Sequence, residues 1–360
     1  MRVYYVTSNL KGCYNVRCLF PLIANGYDGD VTSFVEDVTK TPEQQKDGVI
    51  NADIVVFHRP EHPDKLKLIK YLKELGKKIV FDNDDTYKDN EQVKLNKYMN
   101  KERVDRGLKA INGVVDECIK EADLVTASTE FLAEEYRKLN PNVVVLPNCI
   151  DPFLFDEPLR NEGEKVRIGI TGSVGITSDL DILEPIFRHY ENDERVQLVF
   201  FSLHAKSDQT KLIQEIYVGE YEIFNSFKSL EWQPMVPAHE YYETLNNLKL
   251  DIMIIPRTDT YFNRCKSNLK FLEASMLEIP VVAQSFSTGD SPYQGVEDSK
   301  YLELAGNTEE FIEKIEKLIA DKELRREMGR NAREYVEENY SIDNKAHLWE
   351  EAYKTIYDNN

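Results

Sequence analysis

The sequence has no apolar run that approaches the ~18 residues of a transmembrane helix. Its first ten residues, MRVYYVTSNL, have the pattern of a β-strand rather than that of a secretory signal peptide. Cysteine is scarce, and the spacing of Cys13, Cys18, Cys118, Cys149 and Cys265 fits neither a disulfide framework nor a metal site. We therefore expect a cytoplasmic protein in a reducing setting.

Basic residues are also in the minority, with 45 Lys and Arg against 64 Asp and Glu and a net charge of −19. Proteins that bind nucleic acid usually present a basic face, so this balance disfavours nucleic acid as a partner, although a local basic groove stays open.

The helix pattern over 65–78 carries six lysines. We interpret it as the solvated cover of a sheet, and peripheral contact with an anionic membrane is the alternative.

Short β-branched runs alternate with amphipathic helix patterns along the 360 residues, a length that suffices for two cores. Strands are predicted at 3–8, 30–35, 53–58, 78–83, 123–128 and 143–148, and then at 166–173, 197–203, 250–256, 280–285 and 301–305. A charged segment rich in turn formers at 151–165 separates the two series. This alternation predicts an α/β protein with two doubly wound parallel-sheet domains that face each other across a cleft.

Ligands of open α/β sheets bind beyond the carboxyl ends of the strands, so candidate site residues are those that follow each strand. Asp82, Asp84 and Asp85 end the fourth strand in FDNDD. Metal binding, general-base chemistry and hydrogen bonds to acceptor hydroxyls stay open for them, and an Asx-turn or helix cap accounts for one or two of the three.

Other polar residues follow the first and third strands. Tyr14, Asn15 and Arg17 come after the first strand, and His58 and Arg59 end the third. His58 is a candidate general base or acceptor contact, with a satisfied histidine at the cleft edge as the alternative. Arginines at strand ends suit anionic or polyhydroxyl groups.

The segment RCKSNLKFLEASMLEIPVVA (264–283) places two lysines at the start of a helix, where acidic residues are usual. Ser267 is the predicted N-cap of a helix over 268–277. Lys266, Lys270 and Glu273 then share one arc of the helix face, beside free backbone N–H groups that attract phosphate. Glu273 lies one turn further in, where it can accept hydrogen bonds from a sugar diol. An exposed Lys270–Glu273 pair is the alternative.

The loop GITGSVGITSD (169–179) follows a strand, and Gly172 and Ser173 let its backbone approach phosphate oxygens. It is neither the G-x-G-x-x-G fingerprint nor a Walker loop, which disfavours a dehydrogenase or a kinase. Arg257 follows the strand at 250–256.

Four stretches resemble the GT-B glycosyltransferases, and in particular the retaining family 4 (group 1) enzymes. They are FNRCKSNLKFLEASMLEIPVVAQS, the junction LPNCIDP, the strand and loop at Gly172 and Ser173, and the final helix NKAHLWEEAYKTIY. The resemblance implies two Rossmann-like domains. Residues 1–152 would bind the acceptor, completed by the C-terminal helix 343–360, and residues 153–342 would bind a nucleotide-sugar donor.

The resemblance also implies roles for the candidate residues. Glu273 would hold the ribose, and the diphosphate would be held by Gly172, Ser173, Arg257, Lys266, Ser267 and Lys270. The acceptor would contact Tyr14, Asn15, Arg17 and Arg59. The catalytic groups would be His58, Asp84, Asp85, Arg257 and Lys266.

The implied reaction is transfer of a hexose or pentose from a UDP- or GDP-sugar to a hydroxyl of a carbohydrate or glycoconjugate, with retention and without a metal or cofactor. Cys265 departs from the family pattern, which usually has a second glutamate there, and Thr177, Ser178 and Asp179 replace the usual basic pair. Three alternatives stay open: a nucleotide-sugar epimerase-like enzyme, a donor-binding but catalytically impaired protein, and a transferase acting on modified nucleic-acid bases.

Overall fold

The computed structural model describes residues 1–8, 10, 12–33, 39–88, 101–172, 179–202, 223 and 226–358. These residues contain two six-stranded sheets, and all the strand pairs within each sheet are parallel. We call the unit around the first sheet the first domain and the unit around the second sheet the second domain.

The first sheet has the strand order β2-β1-β3-β4-β5-β6. Its strands are β1 (Val3–Thr7), β2 (Asp30–Thr32), β3 (Ile54–His58), β4 (Lys78–Asn83), β5 (Leu124–Ala127) and β6 (Val143–Val145). The accompanying helices are a π-helical turn (Asn15–Leu19), α1 (Phe20–Ala24), α2 (Pro42–Asn51), α3 (Pro63–Glu74), α4 (Lys101–Glu121) and α5 (Glu130–Tyr136). β1 and β3 are buried along their whole length, as their continuous apolar runs predict for a sheet covered on both faces.

The second sheet has the order β12-β11-β10-β7-β8-β9, which is the doubly wound order of dinucleotide-binding domains. Its strands are β7 (Val166–Thr171), β8 (Val196–Ser202), β9 (Glu231–Pro234), β10 (Ile252–Ile255), β11 (Val281–Gln284) and β12 (Glu303–Ala305). The helices are α6 (Leu180–Tyr190), α7 (Tyr241–Asn247), α8 (Tyr261–Cys265), α9 (Leu269–Met276), α10 (Thr308–Ala320), α11 (Lys322–Tyr340) and α12 (Ile342–Tyr357).

The strand predictions are confirmed to within a few residues, apart from three strand ends and one strand that was not predicted. Residues 34–35, 173 and 203, which close three predicted strands, lie outside the described residues. β9 was not predicted, because EWQP is short and has no β-branched residue. α10 and α11 are separated by Asp321, whose side chain accepts a hydrogen bond of 2.9 Å from Leu324 N and caps the start of α11.

The last helix returns to the first domain. Tyr353 of α12 is fully buried, and its Oη lies 3.2 Å from Tyr5 Oη of β1. The two crossings of the chain between domains lie side by side, since Ile150 N donates to Tyr340 O and Ile342 N donates to Ile150 O, both at 2.8 Å. The exact residue limits expected for the two domains stay a prediction.

The lysine-rich helix α3 covers the first sheet, because it buries Ile69 and Leu72. Several of its lysines are paired with carboxylates, among them Lys67 with Asp64 at 2.9 Å. No helix in the described ranges combines the length and the hydropathy needed to cross a membrane. Peripheral membrane contact stays a prediction.

Candidate functional site

The strand orders place a crevice at the carboxyl end of each sheet. Connections run in opposite directions on the two sides of β1 and β3 in the first sheet, and of β7 and β10 in the second. The residues at these four strand ends include Thr7, His58 and Thr171. Two polar clusters lie there, one in each domain.

The Lys270 cluster consists of Thr171, Tyr241, Lys270 and Glu273. Lys270 Nζ lies 2.9 Å from Glu273 Oε2 and donates to Tyr241 Oη at 2.7 Å. Tyr241 Oη donates to Glu273 Oε2 at 3.2 Å and lies 2.9 Å from Thr171 Oγ1. Glu273 is only 6% exposed, so the Lys270–Glu273 pair exists but is enclosed at a strand end, unlike the exposed pair considered from the sequence.

The charge of Glu273 stabilises the ammonium of Lys270. Burial alone would lower the pKa of Lys270, but Glu273 and the Tyr241 hydroxyl outweigh it and raise the pKa above its ordinary value. Of the three ammonium N–H groups, two are used by Tyr241 and Glu273, and the described part of the chain offers no acceptor to the third. The cluster can therefore donate one further hydrogen bond to an anion.

The predicted N-cap was wrong by one residue. α9 begins at Leu269, and its N-cap is Asn268, which makes no side-chain capping bond. Ser267 Oγ instead accepts a hydrogen bond of 2.8 Å from Asn148 Nδ2 of the first domain. The hydroxyl that was expected to cap the helix thus joins the two domains.

Arg257 is held by Asp179, the last residue of the predicted loop 169–179. Its Nη1 is 3.1 Å from Asp179 Oδ2, and Thr258 N donates to Asp179 Oδ1 at 2.8 Å. Burial raises the pKa of Asp179, and Arg257 partly offsets this effect. Gly172 N donates to Phe201 O at 3.1 Å, so that amide is used within the sheet. Ser173 lies outside the described residues, and phosphate contact by this loop stays a prediction.

The His58 cluster consists of Thr7, His58 and Asp84. His58 Nδ1 lies 3.0 Å from Thr7 Oγ1, and His58 Nε2 lies 3.6 Å from Asp84 Oδ1. His58 is 2% exposed and Asp84 is 5% exposed, yet neither Nε2 nor Oδ1 has a hydrogen-bond partner among the described residues. Buried polar atoms without a hydrogen bond are uncommon, so this pair is a candidate site of function.

Arg59 joins the carboxylates that follow β4. Its Nη2 donates to Asp85 Oδ2 at 3.0 Å and its Nε donates to Tyr87 Oη at 3.2 Å. Its φ of 54° is a left-handed conformation that costs a non-glycine residue ~1–2 kcal/mol. Burial would raise the pKa of the neighbouring Asp84, but the Arg59 guanidinium and the His58 ring outweigh it and hold that pKa well below its usual range.

Arg17 lies inside the first domain and is fully buried. Its Nε and Nη2 donate to the two oxygens of Asp82 at 3.1 and 2.5 Å, and its Nη1 donates to Leu146 O and Asn148 Oδ1 at 2.5 and 3.1 Å. Direct contact with an acceptor would require Arg17 to leave this network. Tyr14 and Asn15 are half-buried next to it, and the acceptor role of all three stays a prediction.

The three carboxylates at the carboxyl end of β4 face cations of the chain. The pairs are Asp82–Arg17 at 2.5 Å, Asp84–Arg59 at 4.0 Å and Asp85–Lys266 at 2.5 Å. Within the described ranges, no group of three or more His, Cys, Asp or Glu side chains is arranged to hold a metal ion.

The segment from α8 to Ser267 contacts the first domain. Lys266 Nζ reaches Asp85, and Thr129 Oγ1 of the first domain donates to Cys265 O at 2.9 Å. Tyr261 donates to the buried Glu135 and its ring lies 5.4 Å from that of Phe131. α8 thus comes from the second domain but packs against the first.

Sequence reasoning missed Tyr241, which contacts three members of its cluster. It lies 29 residues before Lys270 in the chain, and a tyrosine that begins a helix in AHEYYETL gives no signal of such contacts. The pairing of Arg17 with Asp82 was also missed, although both residues had been noted at strand ends.

Comparisons with known proteins agree with this architecture. Residues 203–351 match a family model described as "Glycosyl transferase-like". No curated protein sequence matched the chain.

Several solved structures share the fold. Sucrose-phosphate synthase from Thermosynechococcus elongatus is 14% identical over 100% of both chains, with a TM-score of 0.69. HepE from Anabaena, solved in complex with UDP-glucose, is 12% identical over 99% of this chain and 100% of its own, also at 0.69. A glycosyltransferase from Rickettsia africae is 13% identical over 100% of this chain and 99% of its own, at 0.64. At such identities the likeness concerns the fold.

Proposed function

The chain has the GT-B fold, as its sequence predicted, and we propose that it is a glycosyltransferase that moves a sugar from a nucleoside-diphosphate sugar to an acceptor hydroxyl. One observation carries the proposal. The Lys270 cluster lies at the crevice of the second sheet, and Lys266, four residues before Lys270, forms an ion pair with Asp85 of the first domain, the residue after Asp84 of the His58 cluster.

The second domain would bind the donor. Glu273 Oε2 is used by Lys270 and Tyr241, whereas Oε1 accepts no hydrogen bond from the described part of the chain and is available to a ribose hydroxyl. Lys266 and Lys270 would balance the charge of the diphosphate. As the bond to the sugar breaks, these cations would stabilise the charge that develops on the leaving diphosphate.

The first domain would bind the hydroxyl that reacts. His58 Nε2 and Asp84 Oδ1 are buried, lie 3.6 Å apart and have no hydrogen-bond partner within the described residues. We expect these two groups to be the ones that contact the acceptor hydroxyl. Exclusion of water from this enclosed position would favour transfer over hydrolysis.

The finer features of the proposal come from the sequence resemblance. They are membership of family 4, retention of configuration, independence of metal and cofactor, and a place in glycan or glycoconjugate synthesis. UDP-glucose is the first donor to test, because HepE with the same fold was solved with it. A cytoplasmic location is supported by the five cysteines, none of which forms a disulfide.

The test is a thermal-shift panel of UDP-, GDP-, CMP- and ADP-sugars on the whole chain. We expect one class to raise the melting temperature of the wild type, and to lose its effect in Glu273→Ala and Lys270→Ala. The matched control is Lys300→Ala, which removes a lysine from an exposed i,i+3 pair with Glu297. A wild type that none of the nucleotide sugars stabilises would overturn the proposal.

The reaction class is checked by NMR of the donor that binds. Release of nucleoside diphosphate that depends on an added sugar acceptor, with the anomeric configuration kept in the product, supports transfer with retention. Conversion of the donor sugar to an epimer in the absence of acceptor would assign the chain to the epimerase alternative.

A further inference from the structure

Tyr241 is the centre of the Lys270 cluster, although it belongs to a different helix. Its ring stacks on Phe201 of β8, with centroids 5.3 Å apart and an interplanar angle of 21°. The ring is thereby fixed by packing. Its hydroxyl reaches Thr171, Lys270 and Glu273 at 2.9, 2.7 and 3.2 Å.

The direction of each hydrogen bond follows from the chemistry of the partners. An ammonium only donates and a carboxylate only accepts, so the Tyr241 hydroxyl accepts from Lys270 and donates its single proton to Glu273. Thr171 must then donate to Tyr241. The hydroxyl is fully used, and its proton is directed at Glu273 Oε2.

This arrangement fixes the orientation of the Glu273 carboxylate. The terminal torsion of a glutamate is broad, so one contact with Lys270 does not define the plane of the carboxylate. A second hydrogen bond to the same oxygen, from Tyr241, restricts it and leaves Oε1 for another donor.

We propose that Tyr241 is a positioning residue that aims Glu273 at the ribose diol, so that the site prefers ribonucleotides to 2′-deoxyribonucleotides. The inference rests on the proposed function, in which Glu273 binds ribose. A site built to hydrogen-bond a substrate hydroxyl discriminates strongly against the analogue that lacks it, provided that its acceptor is held in place.

The experiment measures Kd by calorimetry for UDP, GDP and their 2′-deoxy counterparts with the wild type and with Tyr241→Phe. We expect the wild type to prefer the ribonucleotide. Loss of the Tyr241 hydroxyl should lower that preference by about tenfold, because it removes a hydrogen bond to the charged Glu273 carboxylate. Most of the change should be weaker binding of the ribonucleotide, with little change for the deoxyribonucleotide.

Tyr242→Phe is the matched control, because it makes the same chemical change at the next residue. Tyr242 packs against Phe155, with ring centroids 4.4 Å apart, and makes no hydrogen bond to the cluster within the described residues. The Tyr242→Phe variant should prefer the ribonucleotide as strongly as the wild type does. Thr171→Val is the second variant, and decides the matter if Tyr241→Phe unfolds. This substitution removes the Thr171 hydroxyl that donates to Tyr241. It should lower the preference for the ribonucleotide by a smaller factor than Tyr241→Phe does.

Two results would overturn the inference while leaving the proposed function intact. One is a wild type that binds the ribonucleotide and the 2′-deoxyribonucleotide equally. The other is a Tyr241→Phe variant whose affinity for both nucleotides falls by the same factor. The second result would mean that Tyr241 serves only packing. A wild type that binds no nucleotide would instead remove the proposed function, and this inference with it.

Discussion

Lys266 of the second domain places its Nζ 2.5 Å from Asp85 Oδ1 of the first domain. The other carboxylate oxygen of Asp85 accepts from Arg59 at 3.0 Å. The Lys266 side chain is 24% exposed and that of Asp85 is 16% exposed, so the pair lies at the border of solvent. If a diphosphate binds Lys266, as we propose, it must share this cation with Asp85.

We expect Asp85→Asn to bind UDP more tightly than the wild type. Removing one negative charge ~4 Å from an anion is worth ~1 kcal/mol in bulk water and more near a protein surface, so the Kd should fall at least about fivefold. Calorimetry with UDP measures the change, and the sugar-transfer rate should fall in the same variant if Asp85 acts on the acceptor.

The matched control for this variant is Asp64→Asn, which neutralises an exposed carboxylate that pairs with Lys67 on α3. It changes the net charge equally and should leave the UDP affinity unaltered. Weaker UDP binding in Asp85→Asn would contradict the idea that Asp85 competes with the diphosphate for Lys266. It would indicate that Asp85 holds Lys266 in place for the anion.

Lys270→Met should destabilise the protein as well as weaken nucleotide binding. The substitution leaves the enclosed Glu273 carboxylate with only the hydrogen bond from Tyr241, which we expect to cost ~1–3 kcal/mol. Urea denaturation measures the loss. The double variant Lys270→Met/Glu273→Gln should recover part of it, because both charges are then absent.

Lys300→Met serves as the control for this series, because Lys300 forms the same kind of i,i+3 pair on the surface. Its effect on the free energy of unfolding should be small, as is usual for a surface ion pair. If Lys270→Met costs no more than Lys300→Met, the Lys270–Glu273 pair contributes no more than a surface ion pair.

The sequence was sufficient for most of the fold because its strands are apolar runs of the length and composition that a doubly covered parallel sheet demands. It also placed Lys270 and Glu273 together, since residues three apart in a helix are neighbours whatever the tertiary structure. Tyr241 was missed because its contacts depend on how α7 packs on β7 and β8. Likewise, Arg17 meets Asp82 only because β1 and β4 flank β3, a strand order that local patterns do not specify.

Arg17→Met should destabilise the protein by ~3–5 kcal/mol, because it leaves the Asp82 carboxylate buried without its cation. This expectation distinguishes a structural Arg17 from one that binds acceptor. Denaturant unfolding measures it, with Arg2→Met as the control, since Arg2 forms an exposed pair with Asp28. A variant of nearly normal stability with a raised acceptor KM would favour acceptor binding instead.

Asp84 should make stability depend on pH in the acid range. Its folded pKa lies below the ~3.9 of an unfolded aspartate, so its contribution is fully present above pH ~5 and is lost as pH falls through ~4 toward the folded pKa. Asp84→Asn removes this contribution. The stability difference between wild type and variant should therefore be ~1–3 kcal/mol at pH 7 and should shrink below pH 4.

Urea unfolding at a series of pH values from neutral to acid measures this difference. Asp28→Asn, at an exposed carboxylate, controls for the loss of one charge. A difference between wild type and Asp84→Asn that stays constant down to acid pH would show that the Asp84 carboxylate is not stabilised by Arg59 and His58.

Cys265→Glu introduces the glutamate that the GT-B resemblance implies at this position, but we expect it to destabilise the protein. Cys265 is fully buried in a core cluster with Leu132 and Ala133 of the first domain, so a glutamate there would bury a carboxylate among apolar side chains, at a cost of several kcal/mol. We expect a large drop in melting temperature, whereas Cys265→Ala should cost only ~1–2 kcal/mol as a small cavity.

The docking of α8 on the first domain is the physical reason for this expectation. A Cys265→Glu variant that folds as well as Cys265→Ala and binds UDP-glucose more tightly than the wild type would show that position 265 can turn toward the cleft. If the variant unfolds as expected, any carboxylate that recognises the donor sugar must come from elsewhere, and Asp85, which is paired with Lys266, is the first candidate.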